Sequence, residues 1–136
     1  MEFGLRVYYE DTDAGGIVYY ANYLKFIERA RSEALLGLGL SQVVLRERHG
    51  VLFVVREVAA RYFASARLED QLVVTTRLAP ITGARIEMAQ DVLRDRQVLV
   101  KCRVGLTCVG PSGRPVRVPE AVAAALSGLP PLKDDI

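Results

Sequence analysis

The sequence predicts an α+β domain in which one long helix packs against a five-stranded antiparallel sheet. Three observations carry that reading. Apolar residues fall at helical spacing once, in the segment that follows Tyr20. β-rich runs bounded by turn residues fill most of the chain after Gly50. A short β-branched and aromatic run precedes the helix.

The first element is LRVYY at 5–9, which is β-branched and aromatic and reads as a strand. Tyr23, Phe26, Ile27, Ala30, Ala34 and Leu35 then recur at spacings of three and four, with Lys25, Glu28, Arg29, Ser32 and Glu33 on the other side. That is an amphipathic helix of about four turns, starting near Tyr19 or Tyr20 and ended by Gly37 and Gly39. Residues 40–48 form a shorter helix with Ser41 as its cap, and His49-Gly50 makes a turn. Strands are expected at 51–64, at 71–80 up to the stop at Pro80, at 85–93 and at 97–109. Asp95-Arg96 is a tight hairpin turn and GPSGRP at 110–115 a looser one. A short helix at 119–126 leads into an irregular, Pro-containing acidic tail from about 127. The whole chain, 1–136, reads as a single domain. Consecutive hairpins supply four strands, and the first joins at an edge or between them. One helix cannot cover both faces of five strands, so a second copy of the chain is expected, a dimer at minimum.

Composition narrows the function. With 136 residues, 51% hydrophobic and 25% charged, the chain is long enough for one domain with a real core. No apolar run reaches the roughly eighteen residues that cross a bilayer. The N-terminus lacks the basic start and apolar stretch of a secretory signal, so a cytoplasmic location is expected. Of the 18 basic residues 15 are Arg, interleaved with acids and not gathered into the dense block that nucleic-acid binding asks for. Cys102 and Cys108 lie six apart in one strand-like run, too far for a disulfide and without paired metal-ligand spacing. Both read as core residues, with no metal site implied. His49, in a turn without a Ser or Cys partner, is a poor catalytic candidate.

The chemistry concentrates in DTDAGG at 11–16. Loop composition alone makes it a solvated turn. The helix start just beyond it adds a second reading. The first N–H groups of a helix are unpaired and carry the positive end of its dipole, so a carbonyl oxygen held there is stabilised as it gains negative charge. Gly15 and Gly16 let backbone approach a ligand without side-chain obstruction. A nearby carboxylate can attack that carbonyl or activate water. Asp13 is the candidate, with Asp11 and Glu10 as rivals: strand alternation puts Tyr9 and Asp11 on one face and Glu10 on the other, and sequence alone does not decide whether Asp11 or Asp13 faces the pocket. Tyr19 and Tyr20 line a pocket or the core, and helical spacing puts Tyr23 in the core.

RVYYEDTDAGGIVYYANYLKFIERARSE at 6–33, continued by FVVREVAARYFASARLEDQLVV at 53–74, resembles the hotdog-fold acyl-CoA thioesterases of the hydroxybenzoyl-CoA thioesterase type. The similarity is greater to the thioesterases encoded with the bacterial Tol–Pal envelope system. It extends over about 5–118. It implies a long helix wrapped by a curved five-stranded antiparallel sheet, and hydrolysis of acyl-CoA, short to medium in chain length, without a cofactor. It implies Asp13 as catalytic carboxylate and the Tyr20 backbone N–H as the group that polarises the thioester carbonyl. Gly15, Gly16, Val18 and Tyr19 would border the substrate, and Arg61 and Arg67 would meet CoA phosphates. The active site would lie between two subunits, in a dimer or a homotetramer built as a dimer of dimers. An acyl carrier protein is a further partner implied. Tol–Pal-linked relatives commonly carry His where this chain has Tyr20, whereas the hydroxybenzoyl-CoA enzymes have Tyr. The alternative is a non-catalytic acyl-CoA or acyl-carrier binding module, in which Asp13 is only a turn residue.

Overall fold

The computed structural model describes residues 1–132. Residues 133–136, the acidic end of the expected tail, lie outside the described residues. Strand β1 (Glu2–Arg6) is followed by a 3-10 turn (Tyr9–Asp11), the long helix α1 (Asn22–Gly37) and a short helix α2 (Gln42–Val44) that runs on as a π-turn (Leu45–His49). Strands β2 (Leu52–Tyr62), β3 (Gln71–Leu78), β4 (Arg85–Arg94) and β5 (Gln97–Val109) come next, and helix α3 (Glu120–Leu126) closes the order.

The first strand begins and ends earlier than the run LRVYY suggests. Asp11 is the cause. Its buried carboxylate accepts the Tyr8 N–H at 2.8 Å and pulls 9–11 into a turn. The β preference of two tyrosines yields to that cap, and Tyr8 and Tyr9 remain exposed.

Helix α1 buries the expected face, Tyr23, Phe26, Ile27, Ala30, Ala34 and Leu35. Full burial of each large apolar side chain there contributes about 1.5–3 kcal/mol. Gly39 ends the helix in the left-handed region, at φ 75°, so that the Leu40 N–H reaches back to the Leu35 carbonyl at 2.8 Å. Ser41 caps α2 as expected, its hydroxyl accepting the Val44 N–H at 3.2 Å.

All five strands form one antiparallel sheet in the order β1-β3-β4-β5-β2. The β4–β5 hairpin turns on Asp95 and Arg96, both at positive φ, the mirror-image turn that suits strand twist. One expected hairpin is absent. Strand β2 pairs with β5 along the far edge, so the connection 63–70 must travel back across the sheet to β3. Alternate residues Leu72, Val74 and Thr76 of β3, Ile86, Met88, Gln90 and Val92 of β4, and Val100, Cys102, Val104 and Leu106 of β5 share the buried face, in matching register. Gln90 ties that face to α1. Its carboxamide donates to the Ile27 carbonyl at 2.9 Å and accepts from Arg31 at 2.9 Å. Beyond α3, the chain is fastened to β3, the Leu78 N–H reaching the Pro130 carbonyl and the Leu132 N–H the Leu78 carbonyl, each at 2.8 Å.

Candidate active site

Between β1 and α1 the chain makes a tight loop. Thr12 bridges Val18, and the Asp13 N–H donates to the Ile17 carbonyl at 2.9 Å. Gly16 closes the loop at φ 78°, a conformation that costs a side chain dearly. The connection 63–70 lies alongside. Val18 N–H reaches the Ala66 carbonyl at 2.9 Å, Ile17 bridges Arg67, and Leu68 N–H reaches the Gly16 carbonyl at 3.1 Å. This pairing explains why β2 and β3 are not a hairpin. The residues between them are engaged by the loop.

Three further contacts fix the connection. Buried Tyr23 accepts the Ala66 N–H on its phenol oxygen at 2.9 Å, and burial raises that phenol above its ordinary pKa. Arg94 binds the Asp70 carboxylate at 2.7 Å and the Ser65 carbonyl at 3.2 Å. Burial works against the charge on Asp70, but the Arg67 N–H and the Arg94 guanidinium outweigh it and hold that carboxyl below its usual range.

Where loop, helix start and connection meet, a cleft of about 390 Å³ opens, lined by Asp13, Ile17, Val18, Tyr19, Tyr20, Tyr23, Tyr62, Phe63, Ala64 and Ser65. Geometry separates the two aspartates. The Asp11 carboxylate is 5% exposed and held by the Tyr8 N–H. Asp13 is exposed, borders the cleft, and accepts the Gly15 N–H at 2.8 Å through Oδ1. Its Oδ2 has no protein partner among the described residues.

The helix begins at Asn22, later than the tyrosines expected to open it. Tyr19 donates its N–H to the Asp11 carbonyl at 3.0 Å and accepts the Asn22 N–H at 2.8 Å, so a turn precedes the helix. The Tyr20 N–H, just ahead of that start, has no protein acceptor among the described residues. Tyr62, at the end of β2, donates its hydroxyl to the Tyr20 carbonyl at 3.2 Å, and its ring meets those of Tyr20 and Tyr23 at 6.1 and 5.7 Å between centroids. Burial raises the Tyr62 phenol above its ordinary value as well.

Of the residues singled out from sequence, Asp13, Val18, Tyr19 and Tyr20 line one cleft. Gly15 and Gly16 shape the loop behind Asp13 without lining it. Arg67 sits beside the loop through its bridge to Ile17. Arg61 is elsewhere. It borders a cavity of about 480 Å³ on the other face of the sheet, with Arg77, Asp91, Lys101 and Arg103. There Asp91 is engaged by Arg77 at 3.2 Å, and neither Asp13 nor Tyr20 lines that cavity. Sequence reasoning missed Tyr62 and Phe63. Two aromatics in succession at a strand end were the available signal, because alternation points them to opposite faces and they cannot both enter one core. Among the described residues no group of three or more His, Cys, Asp or Glu is placed to hold a metal ion. Nor is any helix there long and apolar enough to cross a membrane.

Comparison with known proteins converges on one family. Residues 7–126 match the model of the thioesterase-like superfamily. The chain is 44% identical over 128 residues to the acyl-CoA thioesterase YbgC of Haemophilus influenzae, covering 93% of this chain and 94% of that one. It is 39% identical over 122 residues to the acyl-CoA thioester hydrolase YbgC of Escherichia coli O6:H1, covering 88% and 90%. A probable thioesterase from Bartonella henselae superposes with a TM-score of 0.83 at 36% identity, covering 88% of this chain and 98% of that one.

Proposed function

Since the chain belongs to the thioesterase-like superfamily, as a hotdog-fold hydrolase of acyl-CoA thioesters closely related to the YbgC type, we propose that its reaction is carried by Asp13 and the backbone N–H of Tyr20. The supporting observation is that both residues line one cleft, where the Tyr20 N–H has no protein acceptor among the described residues. The thioester carbonyl enters the cleft with its oxygen on that N–H. As the carbonyl carbon becomes tetrahedral, the oxygen takes up negative charge, and a fixed donor stabilises it more than it stabilises the ground state. The Asp13 carboxylate attacks the carbon to give a mixed anhydride, which water then hydrolyses, or it removes a proton from the water that attacks directly. In either case the C–S bond breaks, CoA leaves as a thiolate, and the free acid is the second product. A thiolate is a good enough leaving group to depart without strong acid assistance. The oxygen donor is a peptide group, so Tyr20 in place of the relatives' His leaves it intact.

Short-to-medium acyl chains are the proposed substrates, with an acyl carrier protein as a second acyl donor and a cytoplasmic setting alongside the Tol–Pal system. The proposed assembly is a homodimer joined along the β2 edge, itself able to pair into a tetramer. Among the described residues strand β2 is bonded on one side only, to β5, and it exposes Val54, Val55 and Val58. Such an edge recruits another strand.

Thiol release from short, long and aromatic acyl-CoAs tests the mechanism. Asp13→Asn is expected to keep the fold and lose turnover by at least about a hundredfold, the scale of a positioned catalytic group. Equal turnover in wild type and variant would remove Asp13 from the reaction.

A further inference from the structure

Asn22 is the first residue of α1 and grips the preceding loop twice. Its backbone N–H holds the Tyr19 carbonyl at 2.8 Å, and its carboxamide Nδ2 donates to the Asp11 carbonyl at 2.9 Å. That same Asp11 carbonyl accepts the Tyr19 N–H at 3.0 Å. Tyr19 is therefore held at both its N–H and its C=O. The peptide group between Tyr19 and Tyr20 has its oxygen end tied to Asn22, while its other end is the Tyr20 N–H that has no protein acceptor among the described residues. Fixing one end of a planar peptide fixes the direction of the other. A hydrogen bond accepted by the carbonyl also polarises the N–H across the same unit.

We propose that Asn22 is a positioning residue for thioester hydrolysis, aiming the Tyr20 N–H at the thioester oxygen by binding the helix start to the Asp11 carbonyl. The inference rests on the roles given above to Asp13 and Tyr20. The carboxamide is needed because a side chain at the first helical position must reach back over the turn with a donor. Alanine has none, and serine is too short to span the same distance. A residue that only stabilised the helix start would move folding stability and leave catalysis alone. A residue that aims an oxyanion donor lowers kcat and leaves KM nearly unchanged, because its benefit is realised in the transition state.

The experiment compares wild type, Asn22→Ala, Asn22→Ser and Asp13→Asn in thiol release, with thermal melts to confirm folding. Affinities are measured for two CoA derivatives. One is a trifluoromethyl ketone analogue, whose carbonyl takes up water to give a tetrahedral adduct that resembles the transition state and not the thioester itself, and the other is an alkyl thioether without the carbonyl. Both Asn22 variants are expected to lose about tenfold to a hundredfold in kcat, below the full loss of an oxyanion donor, with KM changed by less than about threefold. They should bind the ketone more weakly and the thioether as wild type does. In the wild-type protein, the Asn22 carboxamide resonances should shift with the ketone and not with the thioether, a readout independent of whether the variants fold. Unchanged kcat in folded Asn22 variants, equal losses of affinity for both analogues, or unmoved Asn22 resonances would each overturn the inference. If Asp13→Asn is inactive while the Asn22 variants turn over normally, this inference alone falls. If Asp13→Asn is fully active, the reading of the site falls and takes this inference with it.

Discussion

At the scale of single residues, the Asp13 loop depends on Gly16, which sits at φ 78° with open space where a Cβ would stand. The cost of a substitution there is conformational and not steric. Gly16→Ala is expected to lower stability by about 1–2 kcal/mol, the cost of forcing an L side chain into the left-handed region, as urea unfolding would show. Turnover should fall as well, since the Gly16 carbonyl receives the Leu68 N–H and any relaxation of the loop displaces Asp13. A stability loss without a loss of turnover would mean that the loop adjusts without moving the carboxylate. DTDAGG read as sequence identified this loop but did not separate its two carboxylates. What separates them is a hydrogen bond from Tyr8, which depends on where the first strand ends and leaves no mark in composition. The Asn22 contact was equally hidden, because the alignment of its carboxamide with the Asp11 carbonyl exists only once the turn has formed.

At the scale of elements, the most consequential is β2. It is an edge strand along its whole length, and Val55 and Val58 are 50% and 41% exposed on it. Two copies meeting along this edge would satisfy the free backbone groups and cover those side chains. Val55→Glu with Val58→Glu puts like charges across such a seam. In size-exclusion chromatography with light scattering, wild type is expected to elute as a dimer or tetramer and the double variant as a monomer. Its turnover should fall with its assembly if the site is completed by the partner. A monomeric wild type would overturn the β2 seam. Helix α1 and the β3, β4 and β5 run were legible because each carries a sustained period and a turn signature, and the Asp95-Arg96 hairpin is an instance. The pairing of β2 was not legible. Its long β-rich run says that it is a strand and says nothing about which neighbour it takes.

For the molecule as a whole, buried ionisable groups link stability to pH. Burial, reinforced by the negative charge of Asp91, pushes the Cys102 thiol up to about 11. The unfolded chain loses that proton from about pH 9 while the folded protein retains it. Stability is thus fully present below pH 9 and declines as pH rises toward 11, by an amount on the order of 2 kcal/mol from this group. Cys108 and Tyr23, also raised by burial, act in the same direction. Urea unfolding at pH 8 and pH 10.5 should show the decline in wild type and a smaller one in Cys102→Ala. Equal declines would assign the alkaline loss to other groups. The sequence made the α+β class, the helix and the core cysteines plain, because periodicity and burial are local. The strand order remained hidden because it turns on the segment 63–70, whose partners at Val7, at 16–18, at Tyr23 and at Leu99 all lie far away along the chain. That long-range pairing has a kinetic consequence. Closing so long a stretch of chain carries an entropy cost before any contact rewards it, so the cleft should assemble after α1 has formed. During synthesis the Asp13 loop emerges well before the residues that hold it in shape. In refolding from denaturant, recovery of thiol release should therefore trail recovery of the helical signal, and catalytic competence should arrive among the last events of folding.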